Sequence, residues 1–294
     1  MRTFLTPIDR LTLCLLALLM AVMLFFVPTV HAWPQPGLTY LLLALTIISL
    51  AVLDRRAGTG KILSSIRVFA PIAIIAIIFN SLGDLITGIG NRHYDDILIQ
   101  ADYALFGVHP TVWMERFNDP LLTGLLQAAY MSYYGMPIAL ALALYFRENN
   151  DAFNSAVFAI LLCFYLSYIG YLLVPAVGPR YTLGHVQTAE LRAGPVTLWI
   201  RQALDGLEHN KTDAFPSGHT AVALVTLVYA WKYREKVLSW ILVPAVSALI
   251  FSTVYLRYHY VVDVIAGVLL AALTILIAPK TYRLFSGSSD RPQG

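Results

Sequence analysis

The chain has 294 residues, of which 58% are hydrophobic and 13% charged, with a net charge of +3 and a mean hydropathy of +0.68. A soluble domain carries about 25% charged residues, so this composition excludes an ordinary cytosolic enzyme, a disordered chain and a nucleic-acid-binding domain. The apolar residues fall into runs near bilayer length, which gives an all-α polytopic membrane bundle whose surroundings are lipid.

From the N-terminus, eight runs qualify as spans: 11–30, 38–53, 66–87, 121–146, 153–174, 220–231, 237–254 and 258–278. The first is too long for a signal peptide, lacks a small-residue cleavage site before His31, and is followed by seven more. Between the third and fourth runs, Ile97, Leu98, Ala101 and Leu105 follow helical spacing with Asp95, Asp96 and Asp102 interspersed. That stretch predicts a short amphipathic helix at the outer interface. Segment 175–215 is irregular and rich in Gly, Pro and charge, with a short helix expected around 196–207. Cys14 and Cys163 lie inside apolar runs and form no disulfide or metal pair.

Basic residues set the orientation. With a cytoplasmic N-terminus, 13 of the 20 Lys and Arg fall in cytoplasmic segments and 7 in the longer outer ones. This is the positive-inside distribution, with both termini cytoplasmic in a plasma or inner membrane. Three polar clusters then share the outer face: 175–180 (Pro-Ala-Val-Gly-Pro-Arg), 215–219 (Phe-Pro-Ser-Gly-His) and 255–263, which carries Arg257, His259 and Asp263.

The second cluster has its own chemistry. Pro216 suits a first helical turn. The N–H groups of Ser217, Gly218 and His219 would then face an anion, Gly218 would let the ligand approach, and His219 can supply a proton near neutral pH. The alternative is an ordinary helix cap with an interfacial histidine. His259 and Asp263 are four apart, so on a helix they share a face, and the carboxylate would orient the imidazole as nucleophile or base. The alternative is a structural polar pair. A metal site joining His219, His259 and Asp263 is a weaker reading, because no further ligand sits at metal spacing. Arg180 and Arg257 are candidate phosphate clamps, and each alone could equally meet a lipid headgroup. His185, five residues after Arg180, is a candidate substrate contact. Asp95 and Asp102 read as capping or solvated residues, and Tyr130, Tyr133 and Tyr134 as a core or interface belt.

The order Arg180, Pro216-Ser-Gly-His219, His259, Asp263 resembles the type-2 phosphatidic acid phosphatase superfamily. Its Pro-Ser-Gly-His motif is matched in full. Of its Lys-x6-Arg-Pro motif only Arg180 survives, with Leu173 in the Lys position and Tyr181 in the Pro position. In its Ser-Arg-x5-His-x3-Asp motif the spacing holds, but Thr253 stands where Arg is usual, and Arg257 is a substitute. The Gly-Pro-Arg and Tyr-Leu-x-x-His-Tyr-x-x-Asp forms are similar to the inositol phosphorylceramide synthase-like branch. The resemblance implies a six-helix core over 66–280; outside it, the apolar runs give a cytoplasmic segment and two extra helices over 1–65, and the polar C-terminal composition gives a disordered cytoplasmic tail over 281–294.

It also implies a two-step chemistry with no cofactor and no metal. His259 forms a phosphohistidine oriented by Asp263, His219 protonates the leaving oxygen, and Ser217, Gly218, Arg180 and Arg257 bind the phosphoryl oxygens. The first functional expectation is hydrolysis of a lipid phosphate or diphosphate monoester on the extracytoplasmic side. The alternative is transfer of a phosphorylated headgroup to an alcohol. A non-catalytic lipid transporter ranks third, since its charges should spread along a pathway at mid-depth.

Overall fold

The computed structural model describes residues 4–26, 34–56, 61–90, 92–207 and 210–286, almost all of them helical. Beyond 286 the expected tail lies outside the described residues, while its first part, 281–286, continues the last helix. The chain divides into two compact units, residues 1–91 with 277–294, and residues 92–276.

The first unit contains α1 (Pro7–Phe25), α2 (Pro34–Arg56) and α3 (Lys61–Ile89). Thr6 caps α1 through the N–H of Asp9, whose carboxylate answers to the Thr6 N–H, and Pro7 occupies the first turn. α2 packs on both α1 and α3. Arg67 of α3 binds Asp54 of α2 at 2.8 Å and also Asp9 of α1, so one guanidinium ties three helices. Leu38, Leu41, Leu42 and Leu45 of α2 point outward. This is the apolar exterior that lipid requires and water would penalise.

The second unit opens with α4 (Asp95–Phe106), a one-turn α5 (Pro110–Trp113) and a 3₁₀ turn (Met114–Phe117). It continues with α6 (Pro120–Phe146), α7 (Asn150–Leu173), the one-turn α8 (Pro179–Thr182), α9 (Pro195–Leu207), α10 (Gly218–Lys232), α11 (Lys236–Tyr255) and the greater part of α12 (Val261–Ser286), whose residues from Ile277 on are counted in the first unit. α10 packs on α6, α7 and α11, and α11 also packs on α6. Residues Gly218 to Ala223 of α10 are all buried, as expected of a helix apolar on every side.

Seven helices among the described residues are long and apolar enough to cross a membrane: α1, α2, α3, α6, α7, α11 and α12. The eighth expected span is α10, which has 15 residues and a length of about 22 Å. It is short because Ser217 caps it through the N–H of Thr220, which starts the helix two residues after Pro216. Pro216 was expected inside the first turn and instead precedes the cap.

The expected amphipathic helix is α4, with its faces reversed from those of a water-soluble helix. Asp95 and Asp102 are buried, together with Leu98, while Ile97, Leu105 and Phe106 are exposed along with Asp96, so the reversal is partial.

Candidate active site

The three polar segments meet in the second unit at the start of α10. The first leaves α7 as an extended turn held by α4. Both oxygens of Asp95 accept backbone N–H groups, Val177 at 3.0 Å and Gly178 at 2.8 Å. Gly178 adopts φ +87°, and a β-carbon there would strike the Tyr258 carbonyl, so glycine is required on both counts. The backbone N–H of Arg180 donates to the Arg257 carbonyl at 2.9 Å, which joins this turn to the third segment.

In the second segment, Ala214 donates its N–H to the Ala176 carbonyl at 3.0 Å. Ser217 is fully buried: its hydroxyl caps α10, and its N–H donates to the Asp263 carbonyl at 3.0 Å. Gly218 is buried against the Tyr171 hydroxyl, which a β-carbon would overlap. Its missing side chain serves helix packing, not the ligand approach expected of it. His219 is the member of this motif that reaches the pocket. Its ring lies between Tyr130 and Tyr133, with centroids at 4.7 Å and 4.3 Å. The tyrosine belt thus forms the wall that fixes His219.

In the third segment α11 ends at Tyr255 and α12 begins at Val261, so His259 lies in the connecting turn and not on a helix with Asp263. Tyr258 and His259 both donate backbone N–H groups to the Thr253 carbonyl, at 2.9 Å and 3.1 Å. The residue in the unusual motif position therefore pins the turn through its main chain. His259 Nδ1 is 2.8 Å from the Ala214 carbonyl and 3.5 Å from Asp263 Oδ2. A carbonyl only accepts, so Nδ1 carries the hydrogen and the neutral ring keeps its lone pair on Nε2. Nε2 faces His219 Nδ1 at 3.3 Å. The orienting bond expected from Asp263 comes chiefly from Ala214. Asp263 Oδ2 accepts the Tyr260 N–H at 2.8 Å and so shapes the turn.

Arg180, His219 and His259 line one pocket with Tyr130, Tyr258, Asp205, Lys211 and Asp213. Arg180 does not meet it as a free clamp. Both its terminal nitrogens donate to Asp205 of α9, at 2.8 Å and 2.7 Å, and Lys211 Nζ lies 3.8 Å from the same carboxylate. Burial works against the Arg180 charge, but the Asp205 fork and the neighbouring Tyr258 and Tyr181 hold it above its ordinary pKa.

Two candidates fall elsewhere. Arg257 is buried, with its two terminal nitrogens donating to Glu115 at 2.8 Å, Gln187 at 2.8 Å and the Ala189 carbonyl at 2.7 Å, while its Nε has no hydrogen-bond partner. It adopts φ +66° and anchors the loop instead of lining the pocket. His185 is exposed and outside the pocket lining. Asp263 approaches His259 from the Nδ1 side and His219 from the Nε2 side, so the ring separates them and they share no common ligand point. Among the described residues, no three His, Cys, Asp or Glu side chains gather as metal ligands.

Sequence reasoning missed Asp205, Lys211 and Asp213. The available signal for Asp205 was its place four residues after Arg201 on the polar side of the expected helix.

Residues 97–277, more than half of the chain and nearly all of the second unit, match the PAP2 superfamily. The chain belongs to that superfamily. It is similar to a phosphoinositol dihydroceramide synthase of Bacteroides thetaiotaomicron, 29% identical over 160 residues, 49% of this chain and 51% of the relative. It is also similar to a PA-phosphatase related-family protein of Dictyostelium discoideum, 25% identical over 249 residues, 72% of this chain and 44% of the relative. The chain thus spans about half the length of the curated relatives it matches. No solved structure matches it.

Proposed function

We propose that the protein is a lipid phosphotransferase of the inositol phosphorylceramide synthase-like branch. It would move a phosphorylated headgroup from a lipid phosphodiester to an alcohol acceptor on the extracytoplasmic side of the membrane, with both termini cytoplasmic. The observation that carries the chemistry is the His259 ring, whose Nδ1–H is held by Ala214 while Nε2 faces His219 in the pocket. The likeness to a synthase named for phosphoinositol and dihydroceramide favours transfer.

The substrate phosphate replaces Asp205 in the Arg180 fork, where two parallel N–H donors match two phosphoryl oxygens. His259 Nε2 attacks phosphorus, the bond to the lipid alcohol breaks, and protonated His219 gives its proton to that oxygen. The headgroup stays on the phosphohistidine. The acceptor hydroxyl then returns a proton to His219, its oxygen attacks phosphorus, and the N–P bond breaks to restore the His259 lone pair. Arg180 and Lys211 balance the charge on the phosphoryl oxygens at both steps.

The test is turnover by the purified full-length chain on a panel of lipid phosphodiesters and monoesters, each with and without an alcohol acceptor. The expected result is a new phospholipid that forms only with acceptor and is lost in His259→Ala. Acceptor-independent release of phosphate from monoesters would give hydrolysis instead, the second reading, which the Dictyostelium relative's name supports. If no ester is consumed, both enzyme readings fail.

A further inference from the structure

One cation beside the pocket lacks the carboxylate that its neighbours have. Arg201 is close enough to Arg180, Arg257 and Tyr258 to interact electrostatically with each, and Arg180 lies over the Tyr258 ring. Arg180 is matched by Asp205, and Arg257 by Glu115. Arg201 has no carboxylate partner among the described residues. Its Nε donates to Gln127 Oε1 at 3.3 Å, and its Nη2 is buried with no hydrogen-bond partner. Gln127 is fully buried, and its Nε2 also has no partner.

Two N–H donors of adjacent side chains thus go unanswered. Buried polar groups are nearly always paired, and an unpaired donor costs about 1–3 kcal/mol. Neither side chain lines the pocket itself, but the helices place each one turn from a residue that does. On α6, Gln127 lies one turn from Tyr130, and on α9, Arg201 lies one turn from Asp205; Tyr130 and Asp205 both line the pocket. Burial, together with Arg180 and Arg257, pulls the Arg201 guanidinium below its ordinary pKa. A site with spare donors and surplus positive charge accepts oxygen and repels ammonium.

We propose that Arg201 and Gln127 form the headgroup subsite beside the phosphoryl centre, selecting phosphoesters whose headgroup is rich in hydroxyl or anionic oxygen over those ending in an ammonium group. This rests on the phosphotransferase reading, because only there does a headgroup stay on phosphorus through the reaction. It makes Arg201 and Gln127 specificity-determining residues that no motif of the sequence marked. A merely structural pair behaves differently: replacing both partners together by apolar residues of similar shape is nearly neutral or stabilising and leaves the polyol KM unchanged.

Two measurements on the full-length protein test this. The first is thermal stabilisation of the detergent-solubilised protein by inositol 1-phosphate, phosphocholine and inorganic phosphate, which separates headgroup binding from phosphate binding. Inositol 1-phosphate is expected to stabilise most, and Arg201→Met and Gln127→Leu to bring it down to the level of inorganic phosphate. The second is kinetics on lipid donors with polyol or ammonium headgroups. Arg201→Met is expected to raise KM for the polyol donor about tenfold with a smaller change in kcat, and Arg201→Lys to recover part of the loss.

Equal use of both donors by the wild type, or an unchanged polyol KM in Arg201→Met, overturns the subsite. Should Arg201→Met fail to fold, the wild-type ranking of the three phosphates decides. Transfer without headgroup preference sinks the subsite and leaves the phosphotransferase reading standing. A headgroup preference in binding with no transfer to any acceptor does the reverse.

Discussion

At the residue scale, the site depends on which atoms are already committed. The histidine pair was legible in the sequence because residue type and spacing together are specific: Pro-Ser-Gly-His and a His–Asp pair four apart point to phosphoryl chemistry. The roles assigned to Ser217, Gly218 and Arg257 were not legible. A motif names side chains but not the contacts that occupy them. The carboxylate that occupies Arg257 comes from Glu115, 142 residues away in the chain, and the hydroxyl against Gly218 comes from Tyr171 on another helix. Asp205 shows the same in reverse, since its importance is its hold on Arg180. Substrate must break that pair. Asp205→Asn removes the competing charge and is expected to lower KM for the phosphoester about two- to fivefold, the range of a half-exposed ion pair. Initial rates across a substrate series check this, and an unchanged or higher KM would assign Asp205 to substrate binding.

At the element scale, α4 is a brace. The spacing of its apolar residues gave the helix, but the pattern could not say whether the surroundings were water or lipid, and that choice decides which face turns inward. Its acidic edge turns inward. Asp95 holds the turn before Arg180, and the Tyr260 hydroxyl donates to it at 2.8 Å. Asp102 accepts the N–H groups of Val261 at 3.0 Å and Val262 at 2.9 Å, capping α12 just after His259. In Asp102→Asn one N–H would face an amide NH₂ instead of an oxygen. The expected loss is about 1–2 kcal/mol of stability, with a severalfold fall in kcat as the His259 turn loosens.

The pH dependence follows from the same carboxyl. Burial raises the Asp102 pKa, and the Val261 and Val262 bonds and the charge of His109 offset this only in part. The folded state therefore holds this proton more tightly than the unfolded chain. Its contribution to stability falls as pH rises from the ordinary carboxylate range through the raised value, and is level above it. Melting curves across that window should show a slope in the wild type that Asp102→Asn lacks; parallel curves would contradict the assignment.

At the scale of the whole molecule, the long helices were legible because a bilayer admits few alternatives to an apolar run of fixed length, and the basic residues supplied the expected order of faces. The division into two units was not legible, since both are built from the same apolar alphabet. The short α10 has a consequence for the surrounding membrane. Lys232 lies over the Tyr229 and Tyr233 rings, at 4.8 Å and 5.2 Å, in the cation-and-aromatic arrangement that marks a water boundary. With α10 as the expected eighth span, counting back from there along a helix of about 22 Å, in a hydrocarbon core of about 30 Å, would leave His219 about 8 Å below the opposite headgroup level. A lipid phosphate must sink to reach it, or the bilayer must pinch toward it, and either deformation costs more as the acyl chains lengthen. If the protein is the proposed phosphotransferase, its rate should therefore sense membrane thickness. Reconstituted into vesicles of increasing acyl-chain length, it is expected to slow steadily, and the trend should vanish in detergent; rates that ignore chain length would place the histidines at the headgroup plane.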